Sequence, residues 1–206
     1  GIPTGLQYSI TAIGSMVMQS ANNGLGSVYV SAFTAAMRIK QFAMCPFDAV
    51  STAASVFCSQ NLGAKQPDRI RKGLRQAVTI GVAYGALIGL VLIFGGRTLT
   101  RIFVNKSAVD VLDASAKYLR YLGFFFWSLG ILNVNRMVTQ GLSYSGRAVF
   151  SGVTEMIARV IVSVGFVGTY GFTAICCADQ AAWISASCYI LPTCLMCVRR
   201  ATEKMK

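Results

Sequence analysis

The sequence predicts an all-α, polytopic membrane protein with six transmembrane helices. Of its 206 residues, 54% are hydrophobic and only 13% are charged, whereas about 25% of the residues in a typical soluble domain are charged. The mean hydropathy of the chain is +0.57. Because one transmembrane helix takes about 20 apolar residues, a chain of this length holds about six spans with short loops.

The first three spans are predicted at residues 3–21, 28–62 and 76–94. Pro3 lies in the first turn of the first span, where its missing N–H needs no partner, and the string NNGLGS ends that span. The second span would be about 50 Å long, which exceeds a hydrocarbon core of about 30 Å. A kink at Pro46 is therefore predicted, because a proline inside a helix removes a hydrogen bond and crowds the preceding turn.

The last three spans are predicted at residues 118–142, 149–167 and 172–198. A shorter amphipathic segment, KSAVDVLDASAKYLRYL, leads into the fourth span with apolar residues at helical spacing. Three glycines of the third span, Gly81, Gly85 and Gly89, lie four residues apart. Such a ladder lets neighbouring helices pack closely.

The distribution of basic residues predicts the orientation of the spans, because cytoplasmic loops are enriched in Lys and Arg. One side of the predicted membrane carries Lys65, Arg69, Arg71, Lys72, Arg75, Arg147, Arg199, Arg200, Lys204 and Lys206. The other side carries Arg97, Arg101, Lys106, Lys117 and Arg120. We therefore expect a multi-pass protein of the plasma (inner) membrane with both termini of this segment in the cytoplasm.

The net charge of +12 is expected to interact with the membrane surface. The basic residues flank the spans and would meet anionic lipid headgroups, so we expect no nucleic acid as a partner. The chain has no histidine for general-base catalysis and no phosphate-binding loop, so it is not expected to be an enzyme. All seven cysteines lie in predicted spans, where cysteine acts as a small hydrophobe, and we expect no disulfide, metal or cofactor.

The few charges inside the spans are the candidate functional residues. A charged side chain near the bilayer centre costs about 2.5–3.5 kcal/mol on insertion scales, so it usually faces a partner or a cavity. Glu155 and Arg159 are four residues apart, in the order that favours an ion pair on one helix face. One interpretation is a structural ion pair. In the other, a transported cation or proton competes with Arg159 for the Glu155 carboxylate.

Asp48 is a second candidate, because it follows Pro46 by two residues. The backbone carbonyls that a proline frees can open space for water, and a carboxylate beside them can make a cation or proton site. The alternative is an ion pair with Arg38, Lys40 or Arg136. We expect Asp48 to belong to a polar network that supports gating, with direct ion contact as the second option.

Polar patches in the first and fourth spans complete the candidate set. Gln7 and Tyr8 form one patch, and Asn133 and Arg136 belong to the other. Each patch is expected either to line an interior surface or to make hydrogen bonds between helices. The predicted residues of a substrate or cation pathway are Gln7, Tyr8, Asp48, Asn133, Arg136 and Glu155.

Four segments of the chain carry a family resemblance: GIPTGLQYSITAIGSMVMQ, QNLGAKQPDRIRKG, NRMVTQGLSYSG and TEMIARVIVSV. In this order they resemble segments of the C-terminal lobe of the multidrug and toxic compound extrusion (MATE) family. The likeness covers essentially the whole chain. Its most specific element is the long second helix followed by Gln-Asn-x-Gly-Ala and a basic stretch.

The resemblance implies one lobe of a two-lobe transporter. Full-length members have two six-helix lobes around a central cavity, and they are antiporters that expel organic cations and other toxic compounds in exchange for sodium ions or protons. Residues 1–206 would be the C-terminal lobe, with the N-terminal lobe on the same or a separate chain. The first residue is Gly1 rather than Met, which suggests a fragment. Because alternating access needs two bodies, we expect no transport by this lobe alone.

One feature departs from the family pattern. Some branches of the family carry coupling carboxylates in the first and fourth helices of this lobe, where this chain reads LQYSIT and LNVNRM without any acid. The resemblance therefore implies that a sodium ion or proton binds mainly in the N-terminal lobe. Asp48 and Glu155 remain the local candidates.

Two alternatives stay open from the sequence. The first is a flippase of lipid-linked saccharides from the related superfamily, which would show several arginines facing the cavity. The second is a non-transporting six-helix membrane module that forms a homodimer.

Overall fold

The structure, a computed structural model, describes residues 2–204, without the side chains of Pro3 and Thr4. Gly1 and Lys206, which entered the expectations above, lie outside the described residues. The described chain is entirely helical, apart from short connections. Its helices are α1 (Ile2–Asn23), α2 (Ser27–Gly63), α3 (Pro67–Thr100), α4 (Val109–Phe124), α5 (Phe126–Gly141), α6 (Ser145–Gly165), α7 (Val167–Tyr170) and α8 (Phe172–Lys204). The all-α prediction is confirmed.

Four of these helices, α2, α3, α6 and α8, are long and apolar enough to cross a membrane. Large apolar side chains remain exposed on their outer faces, as on Phe42, Phe94 and Ile161, which suits contact with lipid. The helix α1 and the pair α4 and α5 correspond to the two other predicted spans. A total of six spans stays a prediction.

The third helix starts earlier than the sequence suggested. It begins at Pro67 rather than near residue 76, so four basic residues assigned to a loop lie in its first turns: Arg69, Arg71, Lys72 and Arg75. A proline at the first helical position and Asp68 in the first turn both favour a helix start here. Long basic side chains tolerate this position because their charged ends can extend to the headgroups.

The predicted fourth span, 118–142, is two helices in the structure. The helix α4 includes the predicted amphipathic segment from Val109 onward, and it ends where Phe125 leaves helical geometry, with φ −118° and ψ 8°. The Phe125 N–H donates to the carbonyl of Leu122, three residues back, rather than four. The chain then resumes as α5.

The glycine ladder fixes α3 against both of these helices. A Cβ atom on Gly81 would lie 3.3 Å from the Cα of Gly130, and one on Gly85 would lie 2.8 Å from the carbonyl oxygen of Phe126. Gly89 faces Gly123 in the same way. As the residue number rises along α3, the residue number of the contacted position falls along α5 and α4. The helix α3 therefore runs antiparallel to both. The close packing predicted for these glycines is confirmed.

Aromatic side chains fill the main core between α2, α3, α5 and α8. The ring centroids of Phe47 and Phe126 are 5.5 Å apart, and those of Phe126 and Trp183 are 5.7 Å apart. The helix α2 continues through Pro46 without interruption, and the kink there stays a prediction. The helix α1 packs mainly on α6 and stands away from α2.

We expect Gly85→Ala to destabilise the protein by about 1–3 kcal/mol, because the added methyl would push α3 away from the backbone of α5. Thermal unfolding of the purified protein in detergent measures the effect. Gly95→Ala is the matched control, since a Cβ there meets nothing within 4 Å. Equal melting temperatures for the two variants would contradict the packing role of the ladder.

Candidate functional site

Five charged side chains form a continuous chain of ion pairs, which we call the charge ladder: Lys40, Arg136, Glu155, Arg159 and Asp179. Arg136 donates from Nη2 to Glu155 Oε2 at 2.6 Å, and Arg159 donates from Nη2 to Glu155 Oε1 at 3.0 Å. Arg159 also donates from Nε to Asp179 Oδ1 at 3.0 Å, and Lys40 Nζ lies 3.0 Å from Asp179 Oδ2. Positive and negative groups therefore alternate along the ladder.

The ladder joins four helices in the interior. Lys40 comes from α2, Arg136 from α5, Glu155 and Arg159 from α6, and Asp179 from α8. All five side chains are buried. With three positive groups and two negative ones, the ladder has a formal charge of +1. Each inner member has an oppositely charged neighbour on both sides, which offsets much of the cost of removing these charges from water.

Two hydroxyl groups add hydrogen bonds to the ladder, while Nη1 of Arg159 has no hydrogen-bond partner among the described residues. The Tyr118 hydroxyl of α4 donates to Asp179 Oδ2, so Asp179 accepts from three different side chains. Arg136 Nε donates to Ser151 Oγ at 2.8 Å, and that hydroxyl donates to the carbonyl of Ala148 at 2.6 Å. The Lys40 ammonium also lies 5.9 Å from the centre of the Trp183 ring, a distance typical of a cation–π contact.

One end of the ladder opens into a cleft of about 280 Å³. The cleft lies between α1, α2, α5 and α6, where α1 packs on α6 and leaves a gap to α2. Arg136 and Glu155 form its inner wall. The other polar residues of its lining are Gln7, Tyr8, Thr11, Asp48, Ser51, Thr52, Asn133 and Gln140.

The structure thus brings all six predicted pathway residues to one cleft. Gln7 and Tyr8 reach it from α1 and Asp48 from α2. Asn133 and Arg136 come from α5, and Glu155 comes from α6. Their role in a substrate or cation pathway stays a prediction.

Asp48 differs from the other acidic residue of the cleft, because its carboxylate is exposed and has no ion pair with any residue in 2–204. The alternative pairings considered from the sequence are not formed in that range. Lys40 binds Asp179 and Arg136 binds Glu155, while Arg38 lies exposed on α2. Asp48 is therefore an available carboxylate on the cleft wall.

Two buried polar atoms on the cleft wall lack a hydrogen-bond partner among the described residues. They are Nδ2 of Asn133 and Oγ of Ser51. Buried polar groups are normally satisfied by protein or by water, and an unsatisfied one costs about 1–3 kcal/mol. The wall therefore offers a donor and a hydroxyl, beside the Asp48 carboxylate, to water or to a bound solute.

The ion pair predicted between Glu155 and Arg159 is present at 3.0 Å, but it is not isolated. Glu155 also binds Arg136, and Arg159 also binds Asp179. Sequence reasoning missed Asp179 entirely. The signal was available, because Asp179 is an acid inside an apolar span, to which the cost of a buried charge applies as it does to Glu155.

Two of the cysteines have a spacing that also occurs in metal-binding and redox motifs. Cys194 and Cys197 form a Cys-x-x-Cys pair on α8. Both are buried free thiols. No group of three or more Cys, Asp or Glu side chains in residues 2–204 could hold a metal ion.

Comparison with known proteins identifies relatives of the chain. The model of the family described as MatE matches residues 3–165. "Probable multidrug resistance protein YpnP" of Bacillus subtilis (strain 168) is 28% identical over 131 residues, which cover 64% of this chain and 29% of that protein. "Probable multidrug resistance protein YoeA" of the same organism is 21% identical over 170 residues, covering 81% of this chain and 35% of that protein.

Solved structures share the fold. A crystal structure of MATE in complex with MaL6 superposes with a TM-score of 0.92 at 16% identity, covering 98% of this chain and 46% of that one. The Vibrio cholerae MATE transporter VcmN in the bent form gives 0.83 at 20% identity, covering 98% and 45%. The chain thus spans about a third of the length of the curated relatives it matches and less than half of the solved chains.

We expect Asp179→Asn to lower the free energy of unfolding by about 3–5 kcal/mol, because Lys40 and Arg159 would lose their shared buried anion. Thermal unfolding in detergent measures the loss. Asp113→Asn makes the same chemical change in an exposed ion pair with Arg97, which contributes about 0–1 kcal/mol.

A second variant tests the pairing itself. Combining Lys40→Met with Asp179→Asn removes one cation together with the anion, so the double variant should recover part of the lost stability. If Asp179→Asn melted no lower than Asp113→Asn, the ladder would not contribute to stability in this way.

Proposed function

The chain belongs to the MATE family, and from that membership we propose that it is the C-terminal lobe of a secondary active efflux transporter. The transporter exports organic cations or other toxic compounds by antiport with sodium ions or protons. The cleft between α1, α2, α5 and α6 is the contribution of this lobe to the substrate or cation pathway.

The observation that carries this proposal is the unpaired carboxylate of Asp48 on the cleft wall. The charges that line the cleft are Asp48, Arg136 and Glu155, and Arg136 is already bound by Glu155 and by Ser151. The available charge in the cleft is therefore negative. An organic cation, a sodium ion or a proton is favoured there over an anion.

The same charges count against a flippase of lipid-linked saccharides. A site for a lipid phosphate needs several arginines free to bind its oxygens, whereas the cleft lining includes one arginine, and its guanidinium is occupied. Tyr8 adds an exposed aromatic ring at the cleft mouth, which suits contact with a cationic or aromatic substrate.

Transport requires a second lobe. Alternating access moves two bodies about a site between them, and the chain covers less than half of the solved MATE chains. We place the main site of the coupling sodium ion or proton in that N-terminal lobe, on the same or a separate chain. The excess of basic residues near the start of α3 and the end of α8 supports a plasma (inner) membrane orientation with both termini of this segment cytoplasmic.

We expect Asp48→Asn to reduce efflux of a fluorescent organic cation by about tenfold or more, as for the loss of one charge-assisted contact. Efflux from cells that express the full-length transporter measures this, with expression level and melting temperature checked to be unchanged. Asp110→Asn, the same change at an exposed acid of α4, is the control. Undiminished efflux in the Asp48 variant would remove this carboxylate from the pathway.

An antibody against the tail RRATEKMK should detect a native polypeptide of about twice the 22.1 kDa of this chain, as a two-lobe architecture requires. In intact cells, the same antibody should label the tail only after permeabilisation. A native band at the size of this chain would contradict a single two-lobe polypeptide, and it would favour a homodimer or a separately encoded first lobe.

A further inference from the structure

A groove of about 490 Å³ separates α3 from α8, and it shares no lining residue with the cleft. Both helices pack on α5 but scarcely touch one another, so a gap remains between them. Asn135 of α5 lies on the floor of this gap. Because α3 and α8 are both long and apolar enough to span a membrane, the groove is open to the lipid phase.

The lining changes from basic to apolar along the groove. Arg71 and Arg75 lie in the first turns of α3, and Arg199 lies in the last turns of α8, at the same end of the protein. The apolar part of the lining consists of Leu74, Val78, Leu191, Leu195 and Val198. It extends about 10 Å along α3 from Arg71 to Val78, and about 12 Å along α8 from Arg199 back to Leu191. The arginines therefore stand at headgroup level and the apolar walls at acyl-chain level.

The three arginines of the groove have no polar partner among the described residues. None of them makes a hydrogen bond or an ion pair with any residue in the range 2–204, and no described residue of the lining is acidic. The other polar side chains of the lining, Thr79 and Asn135, each donate a hydrogen bond to a backbone carbonyl of their own helix. The charged groups of the described lining are therefore three guanidinium groups.

We propose that the groove between α3 and α8 binds one anionic phospholipid, with its phosphate held by Arg71, Arg75 and Arg199 and its acyl chains along the apolar walls. One guanidinium group can bind two phosphate oxygens at once, and basic pockets between transmembrane helices bind anionic headgroups. A zwitterionic lipid would make the same apolar contacts, but the cation of its headgroup would be repelled by the three arginines. This site does not depend on the transport activity proposed above.

Native mass spectrometry of the full-length protein in detergent tests the site by titration with phosphatidylglycerol or with phosphatidylcholine of the same acyl chains. We expect the combined variant Arg71→Ala, Arg75→Ala and Arg199→Ala to bind phosphatidylglycerol about tenfold more weakly or worse. The matched control is Arg69→Ala, Lys72→Ala and Arg200→Ala. It removes three charges from the same ends of the same helices but from outside the groove.

A second pair of variants keeps the charges intact. Leu195→Trp fills the apolar part of the groove and should also weaken phosphatidylglycerol binding, whereas Leu90→Trp makes the same change at an exposed position of α3 outside the groove. If the triple variant fails to fold, the difference in phosphatidylglycerol binding between these two variants still tests the proposal.

Several results would overturn the proposal. Equal losses in the two triple variants would mean that the basic surface attracts lipid diffusely, and equal binding of both lipids would mean that the arginines do not select the headgroup. Competition by glycerol 3-phosphate as strong as that of the intact lipid would point to a free phosphate ligand. A photoreactive amino acid at position 195 should form an adduct with a lipid. A crosslink to another polypeptide instead would assign the groove to a protein partner.

Discussion

The cost of burying charge inside a membrane protein is the constraint on which the rest of this structure depends. The charge ladder buries five charged side chains, and each is tolerated because an opposite charge lies about 3 Å away. Since the members come from α2, α5, α6 and α8, and Tyr118 adds α4, the positions of five helices are coupled. Any of the four helices that carry a charged member could leave this arrangement only by separating that charge from its partner.

The chemistry of the cleft follows from the same pairing. Arg136 would make the cleft wall basic if it were free, but Glu155 and Ser151 occupy its guanidinium. The carboxylate of Asp48 is left as the available charge, so the ladder decides the sign of the charge that a solute meets. Glu155 is bound by two arginines of the ladder. A structural role for this glutamate is therefore favoured over ion exchange.

The helix α3 shows how packing on one face creates a site on another. Its glycines bring its backbone against α4 and α5, and this close approach commits that face to a rigid contact. The adjacent face is then held apart from α8, where three arginines meet an apolar groove. The basic residues near the start of α3 therefore fall into two groups, those that line the groove and those that lie outside it.

The sequence by itself determined the features that depend on neighbours along one helix. Apolar spans, the glycine ladder and the polar faces that carry Gln7, Asn133 and Arg136 all follow from helical periodicity and from the cost of polar groups in lipid. The pair of Glu155 and Arg159 on one helix also follows from the sequence, but only the tertiary structure decided which charges pair between helices. Lys40 and Asp179 are 139 residues apart, and their contact depends on how α2 and α8 lie together. Helical periodicity assigns a side chain to a face but not to a partner, because the partner is set by packing between helices that are distant in the chain.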